Sequence, residues 1–585
     1  MKTVRQTKWL AATLLVLFAT SVLHSQALDR PKQSSGPRPS QQTIEAWQAR
    51  KFGMFIHFGV YSTLGGVWKG KEIKNGYSEQ IQSHVPIPKA EYEQVARQFD
   101  PEKFNPEAIV KLAQDAGMKF IVITAKHHDG FNMFHTKLTD YNIVDYTPYH
   151  RDVVKELSDA CARHGMKFGV YYSSIDWHYP GATTWEKDEE DNDNPIPKAH
   201  EDFNAGQLKE LTSNYGPLSE IWFDMGKPTP AQSKRFADTV HSIQPNCMVS
   251  GRVFNYQGDF TVMGDNQVPK FVIDEPWQTP ASIYSDTWGY RSWAQRTDLA
   301  GKINEHIFNL AQVVSRGGNY LLNIGPRGDG SVVPFEADVL QGVGHWLRTN
   351  GEAVYGTQPQ PFRQLPFGYA TVKPGRLYLL IRQWPRDGRL ELPGLQTKLR
   401  RAYFLADPKH SALKIDNVDG RRSIVVAKSH ETAPVTVVVA EYGGKLSVIP
   451  PTNKPDGQGN LVLSGKDADH FLNYNGYGYS DPATIYKEQW AVALEKGGKY
   501  KLDLVYEKPE EPRHVDVIVE GHRLSATLNG TKADEQDSSD ARTSVGVIEL
   551  KPSSYFPIEI TPPEPFIKGQ KLGVKIVKVE LTRVN

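Results

Sequence analysis

Residues 119–131 read KFIVITAKHHDGF, a largely apolar run that ends in two histidines and an aspartate. Similar runs recur along the chain, at Phe52–Phe58, Lys167–Ser173, Glu220–Met225, Met248–Arg252 and Asn319–Ile324. Amphipathic stretches typical of helices lie between them, at Pro106–Ala116, Arg151–His164, Ala205–Asn214 and Pro230–Ile243. Apolar strands that alternate with helices predict a parallel sheet covered on both faces. The pattern fills residues 42–355 and favours a (β/α)8-like TIM barrel over a doubly wound open sheet.

Polar side chains stand at or just beyond the carboxyl ends of these predicted strands. They are His57, the run His127–His128–Asp129, Tyr172, Asp224 and Arg252. In a parallel barrel this end of the strands carries the active site, whereas the opposite end carries stability. The sequence therefore predicts that these residues share one pocket.

Asp224 closes the run IWFDM between Phe223 and Met225. A carboxylate there is desolvated unless a substrate or a cation partners it. It is either a structural group, such as a helix cap or an ion-pair partner, or a nucleophile or general base. Carboxylates at strand ends in an aromatic-rich barrel suggest glycoside hydrolysis, which needs two such groups.

The pair His127–His128 invites a metal interpretation, but neighbouring residues on a strand point to opposite faces. No HxH or HExxH spacing accompanies the pair, and the chain has only two cysteines. We therefore predict no metal site here. Hydrogen bonding to substrate hydroxyls is favoured for these histidines, with a core or capping role as the alternative. Arg252 is predicted either to orient a carboxylate or to form an ordinary ion pair.

The N-terminus has the pattern of a secretory signal. Three basic residues precede an apolar stretch from Trp9 to Leu23, and Ser25-Gln26-Ala27 supplies a small-x-small cleavage site. We predict a signal peptide over residues 1–27, a flexible lead-in over 28–41, no membrane anchor after cleavage, and a secreted or periplasmic protein. The chain carries 68 Lys+Arg against 67 Asp+Glu, a balance that argues against nucleic acid as a partner. The sequence does not predict an oligomeric state.

Beyond the barrel the pattern changes to short alternating runs separated by turn residues, which is typical of antiparallel sheets. We predict a β-sandwich over residues 356–450, a Pro/Gly-rich linker over 451–460, and a jelly-roll-like accessory domain over 461–585. The segment NYNGYGY at residues 473–479 is either a sugar-stacking surface of that domain or a packing element.

These residues together resemble the retaining α-L-fucosidases of glycoside hydrolase family 29. The resemblance covers roughly residues 42–445 and rests on an ordered set of motifs: FGMFIHFG (52–59), AKHHDGF (125–131), YYS (171–173), IWFDM (221–225), TWGYR (287–291) and NYLLNIGPRGDG (319–330). It implies a barrel followed by a β-sandwich, and cleavage of terminal α-L-fucosyl groups from fucosylated glycans by double displacement without a cofactor. It implies that Asp224 is the nucleophile and that the fucose pocket is lined by His57, His127, His128, Tyr172, Trp222 and Arg252.

Two motifs depart from the family. Tyr77-Ser78-Glu79-Gln80 stands where the family has Tyr-Gly-Glu-Trp, so Glu79 is kept as a sugar-contacting carboxylate and Gln80 replaces the Trp. The second departure is Gln278, which follows Pro-Trp where many members carry the acid/base Glu and which cannot exchange a proton at ordinary pH.

We predict Glu275 as the acid/base, with Glu79 and Asp265 as rivals, about 5–5.5 Å from Asp224 as in other retaining enzymes. An α-L-galactosidase with the same mechanism and a glycan-binding protein that has lost catalysis are the alternatives.

Overall fold

The structure is a computed structural model that describes residues 37–180, 196–269, 273, 275–418, 421–427, 434–472, 485–530, 540–564 and 570–584. The predicted signal peptide, most of the lead-in and the NYNGYGY segment lie outside these residues.

Eight parallel strands form the N-terminal sheet. They are β1 (Phe52–Ile56), β2 (Phe120–Lys126), β3 (Lys167–Ser173), β4 (Leu218–Asp224), β5 (Met248–Val249), β6 (Thr261–Val262), β7 (Trp277–Ser282) and β8 (Asn319–Ile324). Every strand except β5 pairs with the next along the chain, and β8 pairs with β1. Between β5 and β6 the contact is a single parallel bridge from Ser250 to Phe260. This bridge closes the sheet into a barrel.

Helices cover the outside of the barrel and begin where the sequence supplies caps. They are α1 (Gln41–Gln48), α2 (Lys89–Arg97), α3 (Pro106–Asp115), α4 (Val153–Arg163), α5 (Lys198–Asn214), α6 (Pro230–Ile243), α7 (Leu299–Ser315) and α8 (Pro334–Asn350). At α6, Thr229 and Gln232 form a capping box and Pro230 occupies the first turn. In the described parts of the β5–β6 and β6–β7 connections no α-helix occurs, so the barrel is irregular on that side.

The predicted fold class is confirmed, and the sequence missed two strands. β6 is only two residues long, and β7 reads WQTPAS, which has neither the apolar run nor the alternation by which strands are recognised. Every residue of β7 is nevertheless buried, because barrel strands are covered on both faces.

The pleat divides the buried residues of the barrel into two cores. Side chains such as Val170 and Ile221 point outward and pack under the helices, whereas Tyr171 and Trp222 point into the barrel. Since successive residues of a strand alternate between the faces, adjacent positions belong to different cores.

The rest of the chain forms antiparallel sheets in two pairs. The first pair contains β9 (Gly368–Lys373), β10 (Arg376–Ile381), β11 (Arg389–Glu391), β12 (Leu399–Phe404), β13 (Ile415–Val418), β14 (Arg421–Val425) and β15 (Thr436–Tyr442), in the orders β9-β10-β15-β12 and β11-β14-β13. Each pair encloses its own buried core, as expected for sandwiches.

The second pair contains β16 (Leu461–Ser464), β17 (Asp469–Leu472), β18 (Ile485–Leu494), β19 (Gly498–Tyr506), β20 (Arg513–Val519), β21 (His522–Leu528), β22 (Ala541–Leu550), β23 (Ser553–Thr561) and β24 (Ile576–Val584), in the orders β16-β24-β19-β22 and β17-β18-β23-β20-β21. No helix within the described ranges is both long enough and apolar enough to cross a membrane.

Candidate active site

A cavity of about 420 Å³ opens at the carboxyl ends of the barrel strands. Most residues predicted for the site line it together: His57, Glu79, His127, His128, Trp222, Asp224, Arg252 and Asp265. They come from five different strand ends and connections, so the barrel brings together residues that are far apart in sequence.

Asp224 ends β4 at the buried end of the cavity, with 8% of its surface exposed. Its Oδ1 accepts a hydrogen bond from Arg252 Nη1 at 2.8 Å, and its Oδ2 accepts one from the Tyr171 hydroxyl at 2.8 Å. Burial alone would raise the pKa of Asp224, but the positive charge of Arg252 together with these two hydrogen bonds outweighs it and holds the pKa below its usual value. Asp224 is therefore an ionised carboxylate at neutral pH.

Arg252 connects two carboxylates of the cavity. Besides Asp224, its guanidinium bonds Asp265 Oδ1 through Nη2 at 2.6 Å, and it lies 4.8 Å from the ring centroid of Trp222. Carboxylates bonded to two nitrogens of one planar guanidinium lie within about 8 Å of each other. Asp265 is the more accessible of the two, with 30% of its side chain exposed.

Three neutral histidines form another part of the wall. Burial lowers the pKa of His57 and of His128 to about 4 and lowers that of His127 well below its usual value. His57 Nδ1 is 2.7 Å from Asn323 Oδ1 and His128 Nδ1 is 2.7 Å from Ser173 Oγ. Because a neutral imidazole donates at one nitrogen and accepts at the other, these rings are suited to bind hydroxyl groups.

Glu79 is held by the loop that contains the TWGYR motif. Its Oε2 accepts hydrogen bonds from the backbone N–H groups of Trp288 at 3.1 Å and Gly289 at 2.7 Å. Arg291 from the same loop donates to Ser78 Oγ at 3.0 Å and to the Gly76 carbonyl at 2.6 Å. Burial raises the pKa of Glu79 to about 7 against these backbone hydrogen bonds.

The structure corrects the prediction for Tyr172, which points away from the cavity. Its hydroxyl lies between β3 and α5, 2.7 Å from Asn204 Oδ1 and 2.8 Å from Gln207 Oε1. The cavity residue is the preceding Tyr171, which bonds Asp224. The YYS motif places the two tyrosines at the correct strand end. Because neighbouring side chains of a strand point to opposite faces, Tyr171 faces the cavity and Tyr172 faces the helices.

The structure also contradicts the prediction of Glu275 as the acid/base. Glu275 precedes the first residue of β7, and its Oε1 accepts a hydrogen bond from the Thr261 hydroxyl at the start of β6. It therefore lies at the amino ends of the strands, about 20 Å along a six-residue strand from the end that carries Asp224. Trp277 begins a strand that the sequence pattern does not indicate, so the pattern could not place Glu275 at the amino end of the barrel.

Gln278 does not occupy an acid/base position. It lies inside the barrel, where its Oε1 accepts a hydrogen bond from Trp222 Nε1 at 2.7 Å and its Nε2 donates to Glu220 Oε1 at 3.1 Å. Glu220 Oε2 in turn accepts from Trp47 Nε1 at 2.6 Å. This buried chain of side chains supports Trp222 from below, so Gln278 gives no reason to expect lost catalysis.

Several cavity residues were not assigned by the sequence: Phe55, Tyr77, Gln80, Tyr171, Met225, Gln267 and Trp288. Trp288 and Tyr171 stood inside recognised motifs, and Gln80 was noted as a departure from one. Gln267 carried no local signal because it belongs to a polar loop.

A closed parallel barrel with a dead-end cavity at its carboxyl end, aromatic walls and two neighbouring carboxylates has the architecture of a glycoside hydrolase. The sequence model of the family "Alpha-L-fucosidase" matches residues 20–352. The tissue α-L-fucosidase of Rattus norvegicus is 31% identical over 408 residues, which are 65% of this chain and 85% of the rat protein.

Solved structures agree. The α-L-fucosidase of Vibrio sp. strain EJY3 aligns with a TM-score of 0.64 and 26% identity over 94% of this chain and 99% of that one. Isoenzyme 1 of Paenibacillus thiaminolyticus aligns with a TM-score of 0.60 and 29% identity over 69% of this chain and 99% of that one. The chain belongs to the α-L-fucosidase family, and the predicted family and enzyme class are confirmed.

Proposed function

We propose that the protein removes terminal α-L-fucosyl residues from glycans with retention of configuration, using Asp224 as the nucleophile. The observation that carries the proposal is the ionised, buried carboxylate of Asp224 at the buried end of a cavity of about 420 Å³. A cavity closed at one end accepts the terminal sugar of a chain, which corresponds to exo action.

In the proposed first step an oxygen of Asp224 bonds to the anomeric carbon while the bond from that carbon to the leaving oxygen breaks. A carboxylic acid protonates the leaving oxygen. In the second step the residue that donated this proton, now a carboxylate, takes a proton from water. The water oxygen bonds to the anomeric carbon while the bond from that carbon to Asp224 breaks. Hydrogen bonds from Arg252 and Tyr171 orient the nucleophile throughout.

We assign the acid/base role to Asp265 rather than Glu79. The leaving oxygen lies between the fucosyl ring and the leaving group, so its proton donor must reach the outer part of the cavity. Asp265 is partly exposed and is bonded to Arg252, as the nucleophile is. Glu79 is buried and accepts hydrogen bonds from two backbone N–H groups. Glu79 is instead placed to hold a sugar hydroxyl.

The test is turnover of aryl α-L-fucoside and of a fucosylated oligosaccharide by Asp224→Asn, Asp265→Asn and Glu79→Gln. Asp224→Asn should lose at least about 10⁴-fold on both substrates, since removal of a nucleophile abolishes the main pathway. Asp265→Asn should lose about 10²–10⁴-fold on the oligosaccharide and much less on the aryl substrate, whose leaving group needs little protonation.

Azide distinguishes the two roles. It should restore Asp224→Asn as the inverted glycosyl azide and Asp265→Asn as the retained one. If Glu79→Gln instead gives the retained azide, Glu79 is the acid/base. If the wild-type protein cleaves aryl α-L-galactoside and not aryl α-L-fucoside, the α-L-galactosidase alternative replaces the proposal.

We also propose that the protein is exported, on the basis of the signal pattern over residues 1–27. Intact mass of the protein recovered from the secreted or periplasmic fraction should correspond to a chain that begins at Leu28. A full-length mass in the cytoplasmic fraction alone would contradict export.

A further inference from the structure

The wall of the active-site cavity changes from buried to exposed along its depth. Its closed end consists of residues that are all buried: Phe55, His57, Glu79, His127, His128, Tyr171, Trp222 and Asp224. Its open end consists of partly or fully exposed residues: Tyr77, Gln80, Met225, Asp265 and Gln267. In an exo-acting enzyme the leaving group points toward solvent, so the open end is where the leaving group lies.

Gln267 is held at this open end by a turn that packs on β7. The Gln267 N–H donates to the Gly264 carbonyl at 3.0 Å, which closes the turn. Between them, Asn266 adopts a left-handed backbone (φ 58°), a conformation that Asn tolerates better than most residues. Its side-chain oxygen accepts from the Ser282 N–H at 2.7 Å. The turn that presents Asp265 therefore presents Gln267 as well.

Gln80 approaches from another connection of the barrel. It ends the 3-10 turn Ser78–Gln80, and its N–H donates to the Tyr77 carbonyl at 3.1 Å. The preceding Ser78 and Glu79 are anchored to the TWGYR loop. Tyr77, the residue before this turn, also lines the cavity. Burial raises the pKa of Tyr77 to about 12, with further contributions from the charges of Asp265 and Glu79.

Both glutamine side chains have free hydrogen-bonding capacity. Among the described residues neither amide has a hydrogen-bond partner, whereas the side chains of Asp224, Arg252, Tyr171, His57, His128 and Glu79 each have one. An amide offers a donor and an acceptor, which is the combination that a sugar hydroxyl matches. An apolar leaving group would instead be matched by apolar side chains at these positions.

We propose that Gln80 and Gln267 bind hydroxyl groups of the sugar to which the fucosyl residue is attached. These two side chains then favour a sugar over an apolar alcohol as the leaving group. This inference rests on the proposed function, because it assigns a leaving-group site to the same cavity.

The test compares kcat/KM for 2′-fucosyllactose with kcat/KM for aryl α-L-fucoside in full-length wild type, Gln80→Leu, Gln267→Leu and the double variant. Leucine keeps the size of the side chain and removes its hydrogen bonds. Each single change should lower the oligosaccharide-to-aryl ratio about three- to tenfold, the value of one neutral hydrogen bond. Gln364→Leu, an exposed glutamine outside the cavity, is the control and should leave the ratio as in wild type.

The outcomes are separable. An unchanged ratio in all three variants, with aryl fucoside still cleaved, overturns the leaving-group site and leaves the proposed function standing. Failure of the wild type to cleave either fucoside overturns both. A selective effect of Gln80→Leu on aryl α-L-galactoside assigns Gln80 to the C6 position of the bound sugar and overturns its role here. Thermal unfolding of each variant shows whether the kinetic comparison is made on folded protein. Because Gln267 is exposed, Gln267→Leu is the single variant less expected to lose stability.

Discussion

The strands of the barrel carry two cores of different composition on their two faces. Inside the barrel the buried apolar residues are largely aromatic: Trp47, Phe55, Phe120, Tyr171, Trp222, Phe260 and Trp288. Buried polar side chains accompany them: Glu220, Gln278, Asn319 and Asn323. Under the helices the same strands contribute mainly aliphatic residues such as Ile121, Val170 and Ile221, with a smaller share of aromatic ones such as Phe223.

The difference shows which interactions fix the geometry of the site. Dispersion and hydrophobic burial under the helices are nondirectional and tolerate substitutions that conserve volume. Hydrogen bonds inside the barrel are directional, and each lost partner leaves a buried polar group unsatisfied. We therefore expect substitutions in the outer core to lower the free energy of unfolding according to the side-chain volume they remove. Substitutions in the inner core should lower both the free energy of unfolding and the activity.

The largest expected effect follows from Gln278→Leu. It leaves Trp222 Nε1–H and Glu220 Oε1 buried without a partner, so the free energy of unfolding should fall by about 3 kcal/mol. kcat/KM should fall as well because Trp222 lies under Arg252. Urea denaturation and steady-state kinetics measure the two effects.

The matched change in the outer core is Ile221→Val, on the strand that carries Glu220 and Trp222. It should cost about 0.5–1.5 kcal/mol and leave kcat/KM as in wild type. Equal losses of activity in the two variants would mean that the cores do not differ in their coupling to the site.

The adjacent tyrosines of β3 allow the same substitution, tyrosine to phenylalanine, to be compared on the two faces of one strand. Tyr171→Phe removes a hydrogen bond to the Asp224 carboxylate, so kcat/KM should fall about tenfold or more. Tyr172→Phe removes a hydroxyl from the α5 interface, so it should cost about 1–2 kcal/mol of stability without lowering kcat/KM. The reverse pattern would place Tyr172 in the site, as the sequence had suggested.

The buried acids predict how stability depends on pH. The pKa of Glu79 is about 7 in the folded protein against 4.5 ordinarily, so between these values the folded state keeps a proton that the unfolded chain has lost. The free energy of unfolding therefore decreases as pH rises through this window, by on the order of 1 kcal/mol per pH unit.

Glu79→Gln cannot ionise and should show a shallower decrease when denaturation is measured at pH 5 and pH 7.5. Some slope should remain, because burial also raises the pKa of Asp129 to about 7 and of Glu336 to about 8. An identical slope in wild type and variant would contradict the raised pKa of Glu79.

The smallest effect is expected at the outer surface of α3. Lys111 and Asp115 form an exposed ion pair one helical turn apart, with Nζ 2.8 Å from Oδ2. Lys111→Ala should change the free energy of unfolding by no more than about 0.5 kcal/mol, and less in high salt. A larger loss would show that surface charge contributes to this fold more than its cores suggest.

The sequence predicted those parts of the fold and site that short-range pattern determines. Apolar runs located six of the eight barrel strands, and strand ends located His57, His127, His128, Asp224 and Arg252. Pattern alone could not decide which of Tyr171 and Tyr172 faces inward, because an apolar strand buried on both faces has no alternation to set its register.

Other parts depend on contacts between distant segments. Glu79 is fixed by backbone groups of Trp288 and Gly289, more than two hundred residues away. β7 is a strand because its neighbours β6 and β8 pair with it, although its own residues do not favour one. The domain boundaries at residues 355, 450 and 461 and the roles of the site residues stay predictions.

The bridge between Ser250 and Phe260 makes the β5–β6 junction the seam of the barrel. It is secured by the hydrogen bonds from Gly251 N–H to the Phe260 carbonyl and from Asp259 N–H to the Val249 carbonyl. The loop across it holds three consecutive non-glycine residues at positive φ, Phe254, Asn255 and Tyr256, each a local strain of about 1–3 kcal/mol. We expect this seam to open more readily than the continuously paired strands of the barrel. Arg252 lies in the 3-10 turn at the seam, so its opening would move the guanidinium group that bonds Asp224.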